Sequence, residues 1–394
     1  MSDDRLSQTA TGKAWVAQFS EGKRQYATRL LDAMLLVNEE QVATSIRSLL
    51  SQIAQIAEGQ GHRVGLYTER EFDEKYAFDI QSVPDATGRL RQRAVGLKGP
   101  VAIKTVRGSA RIGSEGSISS IISSVIETNR AIFSNHPGPD RIRSAKAPIR
   151  LLVIVTDFIG SGARICSMLD KFWNVPTVKS WVSGKRVSFA VVAAVGTQSG
   201  IDQVKRHRLS PAVHVDRIAP TIFTFSKKMK ARWSDLIKSE GPEERGDDPF
   251  GYNGSGALVA FSYRIPNNTP LFLRVSRGRA KNRWRALYEG HAPEDLRAAF
   301  GLKTSARLIR ISIRKCRRRA GSGFAAAGRT SCPSADSDSR QMAAGGELHR
   351  GRGNRLVGIG RHENPASRND HGAARRARPA HQCWAEACPG RHVG

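Results

Sequence analysis

The apolar positions of this chain change period most sharply over RLLVIVTDFIGSGARICSMLDKFWNV, residues 150–175. Residues 151–155 form an unbroken apolar run rich in β-branched side chains, the pattern of a strand buried on both faces of a parallel sheet. Thr156 and Asp157 stand at its carboxyl end, followed by Phe158, Ile159 and the tight sequence Gly160-Ser161-Gly162. Beyond Ala163, apolar residues recur as Ile165, Met168, Leu169, Phe172 and Trp173, a spacing that predicts a helix laid on that sheet.

The same two periods alternate along the rest of the chain. Residues 8–58 read as helices, with Trp15, Val16 and Phe19 on a first short face and Tyr26, Leu30, Leu31, Met34 and Leu35 on a second. In a third, Asn38 is a cap with Gln41 three residues on, and Val42, Ile46, Leu49, Leu50, Ile53 and Ile56 supply the buried stripe. RVGLYT at 63–68 predicts a short strand; 82–99, with Pro84, Gly88 and several arginines, reads as a loop, and strand character resumes at 100–105. Residues 106–129 are a glycine-punctuated loop opening a helix that carries Ile118, Ile121, Ile122, Val125 and Ile126 on one face. RVSFAVVAAV at 186–195 is a second buried strand, with a helix bearing Ile201 and Val204 behind it. Strands at 213–218 and 221–225, a basic amphipathic segment around Met229, Trp233, Leu236 and Ile237, and a strand at 257–263 ending in PNNTP complete the patterned part. Buried strands alternating with helices predict an α/β domain over residues 61–302, its mostly parallel sheet covered on both faces, preceded by a helical subdomain at 1–60.

From residue 303 the periodicity stops. The last stretch, 303–394, is rich in Arg, Ala, Gly, Ser and Pro, cannot bury a core and reads as a disordered tail; its composition is that of a GC-rich gene translated out of frame. This changes what the charge means. The chain holds 63 Lys+Arg against 35 Asp+Glu, a net +28 that points to polyanions, yet about +13 lies in the tail and about +15 on the patterned part. Nucleic acid remains a partner for the basic surface, including Lys227, Lys228, Lys230 and Arg232, although the patterned part has no recognisable DNA- or RNA-binding motif. Of five cysteines only Cys166 falls in the patterned part, where a small buried thiol explains it; a cytoplasmic protein without a disulfide framework is expected. The polar amino terminus and the lack of any run of 18 apolar residues predict neither secretion nor a membrane span. The tail residues His371, His381, Cys383, Cys388 and His392 suggest a metal, but CxxxxC is outside the usual zinc spacings and no metal site is expected.

The chemistry concentrates at the Gly-Ser-Gly turn. A strand feeding such a turn into a helix gathers free N–H groups at the positive end of the helix dipole, which suits a phosphate. Gly160, Ser161, Gly162 and Ala163 are therefore candidate phosphate ligands, and Asp157 and Thr156 are placed to accept from or bond sugar hydroxyls. Arg107 and Arg111, with Gly113, Ser114 and the other small residues of the second glycine-rich loop, suit a second phosphate or a pyrophosphate. Asn267 and Asn268 at the PNNTP turn are either turn formers or ligand contacts at a strand end. Glu69 and Glu71, just past a strand, are possible catalytic carboxylates, though a solvated turn explains them more simply.

VIVTDFIGSGA resembles the phosphate-binding signature of type I phosphoribosyltransferases. With the N-terminal helices bearing Trp15 and Phe19, and with GY…ALVAFSYRIPNNTP, the chain is similar over about residues 8–290 to the phosphoribosyltransferase-like domain of bacterial conflict systems, the coupled-effector type (PRTase-CE). The resemblance implies a Rossmann-like fold of the type I phosphoribosyltransferase kind acting on a nucleotide or phosphoribosyl pyrophosphate in anti-phage defence. It implies a partner encoded separately, such as a retron reverse transcriptase, and Mg²⁺ where a pyrophosphate is bound. It makes Asp157 the ribose-contacting, catalytic acid and 160–163 the 5′-phosphate cradle. The family tends to carry two adjacent acids at the strand end; Thr156 holds the first place here. The alternative is a module that senses a nucleotide and signals without chemistry.

Overall fold

The computed structural model describes residues 5–103, 115–242, 248–277 and 284–302, all within one compact unit, Met1–Gly323. The chain opens with α1 (Ala10–Val16), α2 (Glu21–Asp32), a short strand β1 (Leu35–Val37) and the long α3 (Glu39–Gly59). Then come β2 (Arg63–Thr68), the hairpin β3 (Asp79–Pro84) and β4 (Leu90–Val95), α4 (Glu115–Thr128), β5 (Phe133–Asn135) and the single turn α5 (Pro139–Ile142). The central strand β6 (Ile149–Ile159) leads into α6 (Ala163–Trp173) and α7 (Pro176–Ser183), followed by β7 (Ser188–Gly196), α8 (Gln198–Lys205) and β8 (Ala212–Ile218). α9 (Lys227–Glu240), β9 (Val259–Phe261) and α10 (Leu271–Arg274) close the described part.

Five strands form one parallel sheet in the order β5-β2-β6-β7-β8. From β2 the chain goes outward to β5, then returns to the other side of β2 for β6. The connections leaving β2 and β6 thus diverge, and open α/β sheets bind ligands in the crevice at the carboxyl ends of two such strands. β6 is apolar without a break because both its faces are covered. Val153 and Val155 face the α3 and α4 side with Ile46, Ile122 and Val192, whereas Leu152 and Ile154 face α6 and α7 with Leu169, Phe172 and Val178. A third core gathers Trp15, Phe19, Leu30 and Leu31 from α1 and α2 with Trp233 of α9, Phe272 and Phe300. The Asn38 capping box forms as the sequence predicts: Oδ1 accepts from Gln41 N at 2.8 Å and Gln41 Oε1 accepts from Asn38 N at 3.0 Å.

Several expectations change. Leu35 is not helical; β1 pairs in parallel with β9, so a strand interrupts the helices of 8–58. Residues 82–99 are not all loop, since β3 and β4 make an antiparallel hairpin. Its strands are polar because only Ala94 is buried in them, and its turn is built by Asp85, whose Oδ1 accepts from Thr87 N and Arg89 N at 3.0 and 3.1 Å, with Gly88 at φ +80°. Residues 100–103 are not a strand; 104 and 105 lie outside the described residues. Ile222–Thr224 is a single 3-10 turn capped by Thr221 instead of a strand. The 257–263 strand contracts to β9 and pairs outside the main sheet. Ile56 is 59% exposed; Ala54 and Ala57 take its place on the buried face of α3. Among the described residues no helix is long and apolar enough to cross a membrane.

Candidate functional site

A cleft of about 310 Å³ lies at the carboxyl ends of β2 and β6, lined by Glu69, Glu71, Asp157, residues 158–165, Tyr252 and residues 264–268. Its floor is the turn that follows β6. Gly162 adopts φ +79°, a conformation open to glycine, and occupies the N-cap of α6 without offering a side chain. Apart from a long contact of 3.4 Å from Ala163 N to Ser161 Oγ, no side chain caps α6, so the positive end of its dipole is presented to the cleft.

The turn is clamped from two sides. Thr197, the cap of α8, donates from Oγ1 to Gly160 O at 2.6 Å and accepts at the same oxygen from Gly200 N at 3.0 Å. Gly200 comes so close that a Cβ there would overlap the Gly160 carbonyl, and a Cβ at Gly162 would reach within 2.7 Å of Gly200 O. On the other side Asn268 lies over Gly160, where a Cβ would fall inside its amide. Asn268 is itself buried, with Nδ2 donating to Ser255 Oγ at 3.1 Å and its backbone carbonyl accepting from Ala257 N at 3.0 Å. It therefore braces the turn, while exposed Asn267 lines the cleft mouth.

Two carboxylates meet at the crevice, one from each strand. Asp157 is 2% exposed and its Oδ2 accepts from Tyr263 Oη and from Arg264 Nη2, each at 2.9 Å. Glu69, the residue after β2, is 7% exposed. The Thr156 hydroxyl lies 3.4 Å from both Glu69 Oε2 and Asp157 Oδ1, between the two acids. Arg164, second residue of α6, places Nε 3.0 Å from Glu69 Oε1 in an ion pair not aligned as a hydrogen bond, and its Nη2 donates to Glu115 Oε1 at 2.9 Å. Burial pushes the Glu69 carboxyl up to about 7, with the Arg164 charge opposing and Asp157 and Glu115 adding to the rise. Burial, then the charge and hydrogen bond of Asp157, raises the Tyr263 hydroxyl far above its usual range and keeps it a donor.

Thr156, Asp157, Gly160, Ser161, Gly162, Ala163, Asn267 and Asn268 are thus drawn to one place. Arg107, Arg111, Gly113 and Ser114 lie outside the described residues. A family model described as PRTase-CE matches residues 13–289, more than half of the chain. The chain belongs to the PRTase-CE family. Its α/β body is a phosphoribosyltransferase-like domain. No curated protein matches it.

Within this PRTase-CE domain, four site residues had little voice in the sequence. Glu69 was visible only as a charge after a strand, and nothing local says that β2 lies beside β6; the rule that ligands gather at strand ends was the available signal. Tyr263 and Arg264 follow β9 in the chain, and their approach to Asp157 depends on a pairing across more than a hundred residues. Arg164 carried no signal, since an arginine early in a helix is ordinary.

Proposed function

We propose that this PRTase-CE domain binds a ribose 5-phosphate unit of a nucleotide or of phosphoribosyl pyrophosphate and promotes displacement at C1′, as an effector of bacterial anti-phage defence. The supporting observation is the uncapped start of α6, clamped by Thr197, Gly200 and Asn268 beside two buried carboxylates at the crevice between β2 and β6. In this reading the 160–163 turn takes the 5′-phosphate through backbone N–H groups, and Asp157 takes the ribose hydroxyls, its charge held by Arg264 and Tyr263. The transition state for leaving at C1′ is oxocarbenium-like and gains from fixed negative charge nearby. Defence and a separately encoded partner such as a retron reverse transcriptase come from the family resemblance, and a cytoplasmic setting from the cysteine usage. Mg²⁺, where a pyrophosphate is bound, would be held chiefly by phosphate oxygens and water; among the described residues no group of three or more His, Cys, Asp or Glu is placed to hold a metal.

A second reading is a nucleotide sensor without chemistry, favoured by Thr156 in place of an acid and by the engagement of Asp157 with Arg264 and Tyr263. Calorimetric titration of the full chain with ribose 5-phosphate tests the binding site. Binding is expected, and Gly162→Ala should weaken it at least tenfold; absence of binding, or an unaffected variant, refutes the phosphate turn. Incubation with nucleotides, phosphoribosyl pyrophosphate and NAD then separates the two readings. Asp157→Ala abolishing product while ligand stays bound supports catalysis, and binding without product in the parent supports sensing.

A further inference from the structure

We propose that Glu69 delivers the proton to a departing nucleobase, which makes the substrate class a nucleoside 5′-phosphate cleaved at its N-glycosidic bond. This rests on the ribose 5-phosphate reading of the cleft and deepens it. A nucleobase leaves from C1′ with the electron pair of the C–N bond and needs a proton on nitrogen, whereas pyrophosphate needs none. The cleft holds one carboxyl suited to that task. Asp157 Oδ2 already accepts from Arg264 and Tyr263, an arrangement that commits this oxygen as an acceptor beside the sugar. Glu69 is held more loosely, with the Thr156 hydroxyl 3.4 Å from Oε2 and Arg164 Nε 3.0 Å from Oε1 without the alignment of a hydrogen bond. Its neighbours are the Thr156 hydroxyl of β6 at 3.4 Å, Asp157 and Arg264 beyond it, Glu71 on its own loop, Glu115 of α4, and Arg164 of α6, which is shared among Glu69, Glu71 and Glu115. The residue before it is anchored by Thr68 N donating to His136 Nε2 at 2.9 Å, so the carboxyl is held at the crevice by its own strand. Buried among acids and half-compensated, it carries a proton near neutrality.

The acid character of this side of the cleft also speaks to the leaving group. Glu69 and Glu71 line it and Glu115 holds Arg164, a setting that favours a neutral or cationic ring over a polyanionic diphosphate. As the C1′–N bond breaks, its electron pair goes to the base nitrogen, which takes the proton from the Glu69 carboxyl. A water oxygen then bonds to C1′ and yields a proton to the Glu69 carboxylate. Free base and ribose 5-phosphate leave, and the acid is restored.

The test uses the full chain with two probes, guanosine 5′-monophosphate and nicotinamide mononucleotide, whose pyridinium base is permanently cationic and needs no acid. Released base is followed by chromatography across pH 5.5–9 and ribose 5-phosphate binding by calorimetry. For the parent, cleavage of the neutral base should fall about tenfold per pH unit above about 7, while the cationic base is cleaved at a flat rate. Glu69→Gln should lose roughly a hundredfold or more on the neutral base, little on the cationic one, and keep ribose 5-phosphate affinity within about threefold; Glu69→Asp should retain the pH limb. Equal losses on both probes, or no loss, overturn the proposal. A parent chain that binds ribose 5-phosphate and releases no base overturns it while the phosphate site stands; a parent that binds no ribose 5-phosphate removes the site as well. If Glu69→Gln fails to fold, the parent's profiles on the two probes still decide.

Discussion

Glu69 and His136 should tie the stability of this domain to pH in opposite directions, and the two effects hide one another in the parent. His136 sits at the end of β5 with φ +41°, and its Nε2 accepts from Thr68 N, so that nitrogen must be unprotonated. Burial, with a smaller part from the Arg70 charge, lowers its pKa from 6.5 to about 4. Between those values the unfolded chain binds the extra proton, so stability present above pH 6.5 is lost as pH falls. Glu69 is the reverse: its carboxyl rises from 4.5 to about 7, the folded state binds the extra proton, and stability grows as pH falls. Over pH 7.5 to 5.0 linkage gives about 2 kcal/mol lost through His136 and about 2 kcal/mol gained through Glu69. The parent should therefore show a nearly flat profile from these two groups. Glu69→Gln should unmask the His136 limb and lose about 2 kcal/mol on acidification, and His136→Gln should gain about as much. Urea unfolding followed by tryptophan fluorescence at half-unit pH steps reads both slopes. Two variants that both retain the parent's profile would refute the burial of these groups as described.

Other expectations concern the scaffold. Gly200→Ala must push its Cβ against the Gly160 carbonyl, and should cost about 1–3 kcal/mol in thermal unfolding together with most of the ribose 5-phosphate affinity. Trp15→Ala removes a fully buried ring that meets Phe19, Phe272 and Trp284 edge-on and donates from Nε1 to Phe272 O; a loss of about 3–5 kcal/mol in denaturant unfolding is expected. Asn38→Ala removes the α3 cap and strands the Phe300 carbonyl that Asn38 Nδ2 serves at 2.9 Å, for about 1–3 kcal/mol by the same assay.

What could be read along the chain was what burial writes locally. β6 and β7 are covered on both faces and so appear as unbroken apolar runs; α3 and α6 show their buried stripes and, for α3, its capping box. The β3–β4 hairpin escaped because its exposed strands have no apolar alternation to display. β1 and β9 escaped because three residues carry no period, and each is a strand only through the other. The site divides in the same way. The strand, acid, turn and helix of 156–163 are contiguous and were legible. Glu69 beside Thr156, or Arg264 on Asp157, arises from the order of strands in space, which no single stretch of residues encodes.

The pairing of β1 with β9 has a consequence for how the molecule comes into being. Leu35, Leu36 and Val37 find their partners only at Val259, Ala260 and Phe261, and Trp15 and Phe19 find theirs at Phe272 and Trp284. On the ribosome these segments emerge more than two hundred residues ahead of the partners that cover them. Closure of this seam is thus a late event of synthesis, and contacts of such long sequence separation are slow to form.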